Sequence, residues 1–366
     1  MKAATKIVFA LLAVAVVVSA AFGYLYVSQP SPSVALSGEG ATFPVPLLNA
    51  MFITYNSTKT NIQINYNGVG SSGGIRALGG KACDFACSDA PLSASDSTTA
   101  PNVLHIPETI GAVAIAYNLP GVSSGLHLTG EVIADIFLGK IFTWNDPAIQ
   151  VLNPTVTLPA ENITVVHRSE GSGTTFIFTS FLSEDNANWK NSLGSAKTVQ
   201  WPVGLGATGN PGVASVVQAN PYAIGYVELA YVIENDMTVA AVQNPSDNFV
   251  VPSLESTQIA AQSGASKGLP TGSGDWTGVS LLNAPDPNAY PIVSFSYTLI
   301  YQELNVIPSM THDRAEALVQ FLWWMVHDGQ EVAPDLEYAA LPLNVVQVNE
   351  ATIQSITFNG QSLPTT

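Results

Sequence analysis

Short apolar runs alternate with loops of glycine, serine and threonine, and this alternation constrains the fold more than any other feature. From Asn61 the chain reads "NIQINYNGVG", then "SSGGIRALGG", then "CDFACSDAPLS". These are a strand, a Gly-rich loop opening a helix, a second strand and a polar turn. The theme recurs. "TIGAVAIAYNLPG" (Thr109 to Gly121) is a strand ending in a turn, and "LTGEVIADIFLGKIFTWNDPAI" is helix, loop, helix. "NITVVHRSEGSGTTFIFTSFLS" is strand, loop, helix, and "NPGVASVVQANPYAIGYVELAYV" is helix, strand. Such alternation predicts an α/β architecture with ligands at the carboxyl ends of strands. At 366 residues the chain exceeds the usual single domain, so two lobes are expected.

Two later segments stand out. Asn244 to Pro287 is rich in Ser, Gly, Pro and Asp, has weak periodicity and carries no functional reading. "YPIVSFSYTLIYQ" then reads as a strand, and "DRAEALVQFLWWMVHDGQ" as a helix opened by Asp313 or Thr311. That helix buries Leu318, Phe321, Leu322 and Met325, with Trp323 and Trp324 assigned to packing.

Charge excludes several partners. The chain has 11 Lys+Arg against 27 Asp+Glu, a formal net charge of −16. Nucleic acid needs a basic footprint and an anionic membrane surface attracts basic residues, so neither is a partner of the body of the chain. An anionic ligand would have to be held by local dipoles and a few cations against the whole-protein field. Arginine is scarce: Arg76, Arg168 and Arg314. The segment Ile7 to Val27 is uncharged, follows Lys2 and Lys6, and is long enough to span a bilayer as a helix. Residues 1–36 are therefore expected to be a membrane anchor, in preference to a cleaved signal, with "SQPSPS" as tether and everything after it exported. No cysteine lies nearby, which excludes a lipid-anchored cysteine.

The only cysteines are Cys83 and Cys87. Four residues of strand would separate their Cα atoms by about 13 Å, whereas a disulfide needs roughly 4.4–6.8 Å. Two buried free thiols are expected, with a pair across a bend as the alternative. Asn56 and Asn162 head N-x-[ST] sequons assigned to exposed turns.

Four loops place small residues and hydroxyls at expected helix N-termini: "GEGATFP", "GVGSSGG", "CSDAP" and "RSEGSGTT". A helix N-terminus offers unpaired N–H groups and about half a positive charge. One such loop is ordinary capping; four together point to a small tetrahedral oxyanion.

These motifs carry a resemblance. "GEGATFPVPLLNAMF", "YNGVGSSGGI", "DFACSDAPLS", "VVHRSEGSGTTFIFTSFLS", "WPVGLGATGNPGVASVV", "AIGYVELAYV", "DIFLGKIFTWNDPAI" and "EYAALPLNVV" are similar in order and spacing to the phosphate-binding protein of the high-affinity phosphate ABC importer. The likeness spans about Ser37 to Val346. It implies a two-lobed type II periplasmic-binding-protein fold, each lobe a mixed sheet flanked by helices, with a hinge of crossing strands. Lobe 1 would be residues 37–114 plus 291–366, and lobe 2 residues 115–290. The implied ligand is inorganic phosphate, and the implied partners are the ABC permease subunits with their cytoplasmic ATPase. A monomer is expected, with neither cofactor nor metal.

Position by position, the resemblance implies that Thr42 and Phe43 make the first contact, Ser71 the second, and Asp89 supplies an acceptor carboxylate. Arg168, Ser172, Gly173 and Thr174 would form the second lobe's clamp. Glu170, where the family often has Asp, would orient Arg168. The chemistry also stands alone. Phosphate near neutral pH carries a proton that a carboxylate can accept; sulfate offers none and would leave that carboxylate unpaired. Arsenate is protonated like phosphate and stays open as an alternative ligand.

Enzymatic readings fare worse. "GSSGG" satisfies G-x-S-x-G with Ser72 central, and His105 or His167 would be the base of a serine hydrolase. No acid-then-His order follows in recognisable context. The five histidines lack metal-ligand spacing, and "GGIRALGGKA" fails as a P-loop because Ala82 stands where Ser or Thr should be. No enzymatic activity is expected.

Overall fold

The computed structural model describes residues 34–264 and 268–366. The expected anchor falls outside the described residues; among those described, no helix is long and apolar enough to cross a membrane. Eleven strands join into one continuous sheet system of mixed direction. Its first half holds β1 (Val34–Gly40), β2 (Ile62–Gly68) and β3 (Phe85–Ser88), with β1 parallel to both of the others. The strand starts at Val34, three residues ahead of Ser37.

β4 (Val103–Asn118) connects the halves. At 16 residues it is long, and all but its last are buried. Its β-branched and small residues suit a strand packed on both faces. Residues Val103 to Ala112 run antiparallel to β11 (Val293–Tyr301), which also pairs with β3. From Val113 onward β4 pairs instead with β8 (Ala223–Glu228). Parallel β6 (Thr164–Arg168) and β7 (Leu205–Ala207) extend that second half. β5 (Leu126–Leu128), β9 (Thr238–Gln243) and β10 (Phe249–Val250) form a side branch that β9 joins to β4. At the handover, the Val113 amide donates to Ile292 O (2.8 Å) and Tyr290 donates to Val113 O (3.0 Å).

One irregularity interrupts the β4–β11 ladder. Register shifts between Ser296, opposite Thr109, and Tyr297, opposite Pro107. Glu108 is thus the extra residue of a β-bulge, the kind of break that re-aims a side chain. Pro107 fits there, since it has no N–H to give a ladder.

The parallel strands of both halves end at one place, and most are followed by a helix. Helices Val45–Thr58, Ser71–Gly79, Gly173–Asp185, Gly209–Ala219 and Leu229–Glu234 follow β1, β2, β6, β7 and β8. Aromatic packing fixes their backs: Tyr55 and Phe52 of the first meet Phe321 and Trp324 of the helix His312–Val326, capped by Thr311 rather than Asp313. In the other half Phe178 stacks on Tyr226, which stacks on Trp201.

Two expectations are corrected, and one segment gains structure. "CSDAP" does not open a helix; Asp89 sits in a bend after β3, and the next helix, Ala94–Thr99, has its own Ser93 capping box. Asn56 lies within the helix Val45–Thr58, half-buried, so its sequon is not an exposed turn; Asn162 is exposed. The segment 244–287 contains the helix Leu254–Gly264, whose buried face of Ser256, Thr257, Ala260 and Ala261 is too weakly apolar to show periodicity. Cys83 and Cys87 are free and buried.

Gly40 ends β1 at a φ of 145°, and a Cβ there would overlap the Cys87 backbone. Only glycine tolerates both conditions. Gly40→Ala is therefore expected to lower the free energy of unfolding by more than about 2 kcal/mol. Urea denaturation followed by tryptophan fluorescence measures this; a loss within about 0.5 kcal/mol would show that the strand end can relax.

Candidate functional site

Two walls meet where the strand ends converge. From the first half come Thr42 and Phe43 after β1, Ser71 after β2 and Asp89 after β3. From the second come Arg168 at the end of β6 and Ser172, Gly173 and Thr174 at the following helix start. Apart from Glu170, every one of these residues is buried. Ser172 Oγ caps its helix by accepting from the Thr175 amide (3.1 Å), while the Gly173 amide turns to the opposite wall.

The contacts are direct and mutual. Ser71 Oγ accepts from the Gly173 amide (3.0 Å) of the facing wall and from the Asp89 amide (3.3 Å) of its own. Gly173 has no side chain because a Cβ would run into Ser71 and Asp89. Thr174 Oγ1 donates to Asp89 Oδ2 (3.3 Å) and accepts from Arg168 Nη1 (3.2 Å). Arg168 Nε donates to Glu170 Oε1 (2.8 Å), and Nη2 to the same oxygen. That oxygen also accepts from the Gly209 amide (3.1 Å), so Glu170 is itself fixed and aligns the guanidinium. The Arg168 amide donates to the Tyr226 hydroxyl (3.1 Å), which anchors the strand end.

Four participants were not identified from the sequence. Asn210 is fully buried at the start of its helix, and its amide and Nδ2 both donate to Thr42 Oγ1 (3.0 and 3.1 Å). Nδ2 also lies 3.3 Å from Thr174 Oγ1, while Oδ1 accepts from the Glu228 amide (3.1 Å). The signal was present: "GATGNPG" is another Gly-rich helix start. Ser296, Thr298 and Glu108 left no such signal, because they lie inside strands. Ser296 Oγ is 3.0 Å from Asp89 Oδ1 and 2.9 Å from Glu108 Oε1. Thr298 Oγ1 donates to Glu108 Oε2 (2.5 Å).

Burial governs the electrostatics. It pushes the Asp89 carboxyl up to about 7, against the pull of Arg168 and the hydrogen bonds from Ser296 and Thr174. Burial also raises Glu108, against three side-chain hydrogen bonds, and raises Glu228 well above the carboxylate range. Among the described residues Arg168 is the only cation hydrogen-bonded into this cluster, and Glu170 balances it. The site thus offers an array of hydroxyl and amide donors, one oriented guanidinium, and one carboxyl able to accept a proton. That donor set fits a protonated oxyanion.

The hydrolase geometry is not assembled. The Ser72 amide donates to Gly171 O (3.0 Å), which helps dock the walls. His105 Nε2 accepts from the Leu92 amide (3.0 Å), and the His167 ring stacks on Trp201. Neither ring bonds to Ser72. A cavity of about 500 Å³ beside His105, Asp275 and Trp276 is lined by none of the wall residues.

Comparison with known proteins gives the family. A profile described as a PBP superfamily domain matches residues 27–328. The chain is 41% identical over 332 residues to the phosphate-binding protein PstS of Xylella fastidiosa, covering 88% of this chain and 86% of that one. It is 37% identical over 351 residues to the phosphate-binding protein PstS of Methanocaldococcus jannaschii, covering 90% and 89%. The fold matches a solved phosphate-binding protein from Stenotrophomonas maltophilia with a TM-score of 0.64 at 19% identity, covering 87% and 94%. It also matches a high-affinity periplasmic phosphate-binding protein solved with phosphate, with a TM-score of 0.68 at 21% identity, covering 87% and 93%. On the profile match and these relatives, the chain belongs to the PBP superfamily and, within it, to the phosphate-binding proteins that serve phosphate ABC importers.

Proposed function

We propose that this protein captures inorganic phosphate between the two walls and delivers it to an ABC import permease. The observation that carries this reading is Asp89. It is buried, bonded to Thr174 of the facing wall, and close enough to Arg168 for the guanidinium to lower its pKa. A carboxyl that faces the bound anion is sensible only if the anion brings a proton to it. Thr42, Phe43, Ser71, Arg168, Ser172, Gly173 and Thr174 would supply the donors, through hydroxyls, amides and the guanidinium, and Glu170 would hold Arg168 in line. Asn210 would orient Thr42 and Thr174. Hydrogen bonds to charged groups contribute about 1.5–3 kcal/mol each. A few of them reach the roughly −8 kcal/mol of a micromolar site, even after the cost of closing the walls.

The lobes would be residues 37–114 with 291–366, and residues 115–290, hinged where β4 changes partners at Val113 and where Tyr290 and Ile292 return beside it. Thr42–Asn210, Ser71–Gly173 and the Lys197–Asp96 ion pair (2.5 Å) would open together as the lobes part. An N-terminal anchor would hold the protein at the outer face of the membrane as a monomer, near its permease. A serine hydrolase built on Ser72 is the less favoured reading, since His105 and His167 are bonded elsewhere.

Arg168→Ala is expected to weaken phosphate binding about ten- to hundredfold, chiefly through a faster off-rate in stopped-flow measurements; wild-type affinity would reduce Arg168 to a structural ion pair. Asp89→Asn should erode discrimination against sulfate more than it weakens phosphate, and an unchanged ratio in competition calorimetry would remove Asp89 from its role. Asn210→Ala should lower unfolding free energy by about 1–3 kcal/mol by leaving Thr42, Thr174 and the Glu228 amide short of partners. An unaltered denaturation midpoint would mean that those groups find others.

A further inference from the structure

Behind Asp89, away from the anion, lies a second fully buried carboxyl that the phosphate reading does not use. Glu108 reaches this place because it is the extra residue of the β4 bulge. Ser296 stands between the two acids, with its oxygen 3.0 Å from Asp89 Oδ1 and 2.9 Å from Glu108 Oε1. A serine hydroxyl has one proton and can donate to only one of them. If both acids were ionised, the other contact would set a carboxylate against a lone pair, and two buried charges would face each other across one oxygen. One proton on the pair satisfies both contacts, because the neutral acid donates to Ser296 and Ser296 donates to the ionised one.

We propose that Asp89, Ser296 and Glu108 form a proton-sharing relay that switches Asp89 between donor and acceptor as the ligand binds. When a protonated oxyanion arrives, the proton on Asp89 Oδ1 passes to Ser296 Oγ as the Ser296 hydroxyl proton passes to Glu108 Oε1. Only O–H bonds change, and net charge is conserved. Asp89 is left ionised beside Arg168, with Oδ2 turned to Thr174 and the ligand. Glu108 is left neutral, its Oε2 still accepting from Thr298 (2.5 Å) and from the Cys87 thiol (3.3 Å). Glu108 is thereby a positioning residue for specificity, acting through Ser296.

The surrounding groups are consistent with one shared proton. Burial raises both acids, Asp89 to about 7, and two acids this close titrate as a coupled unit. Cys87 on β3 and Tyr66 on β2 face the pair and are both pushed up by burial, so they stay neutral. Arg168 lies on the Asp89 side, which favours the anion there. Glu228 faces Asp89 from β8, and burial holds it protonated over a wide range.

The proposal rests on the phosphate reading for its ligand but is tested first without one. Infrared spectra of the whole protein at neutral pH are expected to contain, besides the band of protonated Glu228, a second neutral-carboxyl stretch that is lost in Glu108→Gln and lost again in Asp89→Asn. Persistence of that second stretch in either variant would place the proton on one acid alone and overturn the relay. Ser296→Ala keeps both carboxyls and should move that band; an unmoved band would also overturn it, and this variant serves if Glu108→Gln does not fold. The second arm titrates inorganic phosphate by calorimetry from about pH 6 to about pH 9. Above its upper step the wild-type pair gains a second negative charge, so affinity should fall about tenfold more than in Glu108→Gln, where that charge cannot form. Superimposable profiles would refute the coupling. A wild-type protein that binds no phosphate at all would overturn the functional reading, while the infrared result would still decide the relay.

Discussion

A buried carboxyl beside a buried guanidinium, held on opposite walls of one cleft, is the constraint on which the rest of this structure depends. Removing either charge from water costs several kcal/mol unless partners replace the lost hydration. For Arg168 the partners are Glu170 and Thr174; for Asp89 they are Thr174 and Ser296. Thr174 serves both, so the two charged groups are joined through a hydroxyl rather than by direct contact. That leaves each able to turn to a ligand that lies between them. The burial that raises Asp89 to about 7 also makes its protonation sensitive to whatever occupies the cleft.

The scaffold exists to bring these groups together from distant parts of the chain. Parallel strands in both halves end at the same point, so loops separated by more than a hundred residues, such as those of Ser71 and Gly173, dock side by side. Helix starts at those ends supply aligned amides without the desolvation cost of extra cations. On the proposed reading, this is how a chain of net charge −16 would hold an anion with a single arginine. The long strand β4 belongs to both halves, and its handover at Val113 is where the proposed lobes would hinge.

Much of this was legible in the sequence because it depends on local chemistry. The α/β alternation, the Gly-Ser-Thr loops and the position of Arg168 beside Glu170 all follow from short segments. The carboxyl pair behind the site was not legible. Glu108 is placed by a one-residue slip in a ladder whose other strand lies almost two hundred residues away, and Ser296 looks like any polar residue in a buried strand. Asn210 lay between: its Gly-rich helix start was visible, but its role as a bridge between Thr42 and Thr174 is a tertiary fact. "CSDAP" misled for a local reason, since Ser93, not Ser88, caps the helix that follows.

The central claim, that a proton on the ligand is what Asp89 recognises, is tested most directly by isothermal calorimetry of the whole wild-type chain with phosphate, arsenate and sulfate at neutral pH. The account predicts micromolar or tighter phosphate binding, measurable arsenate binding, and no displacement of phosphate by excess sulfate. Sulfate binding with an affinity comparable to that of phosphate would contradict it.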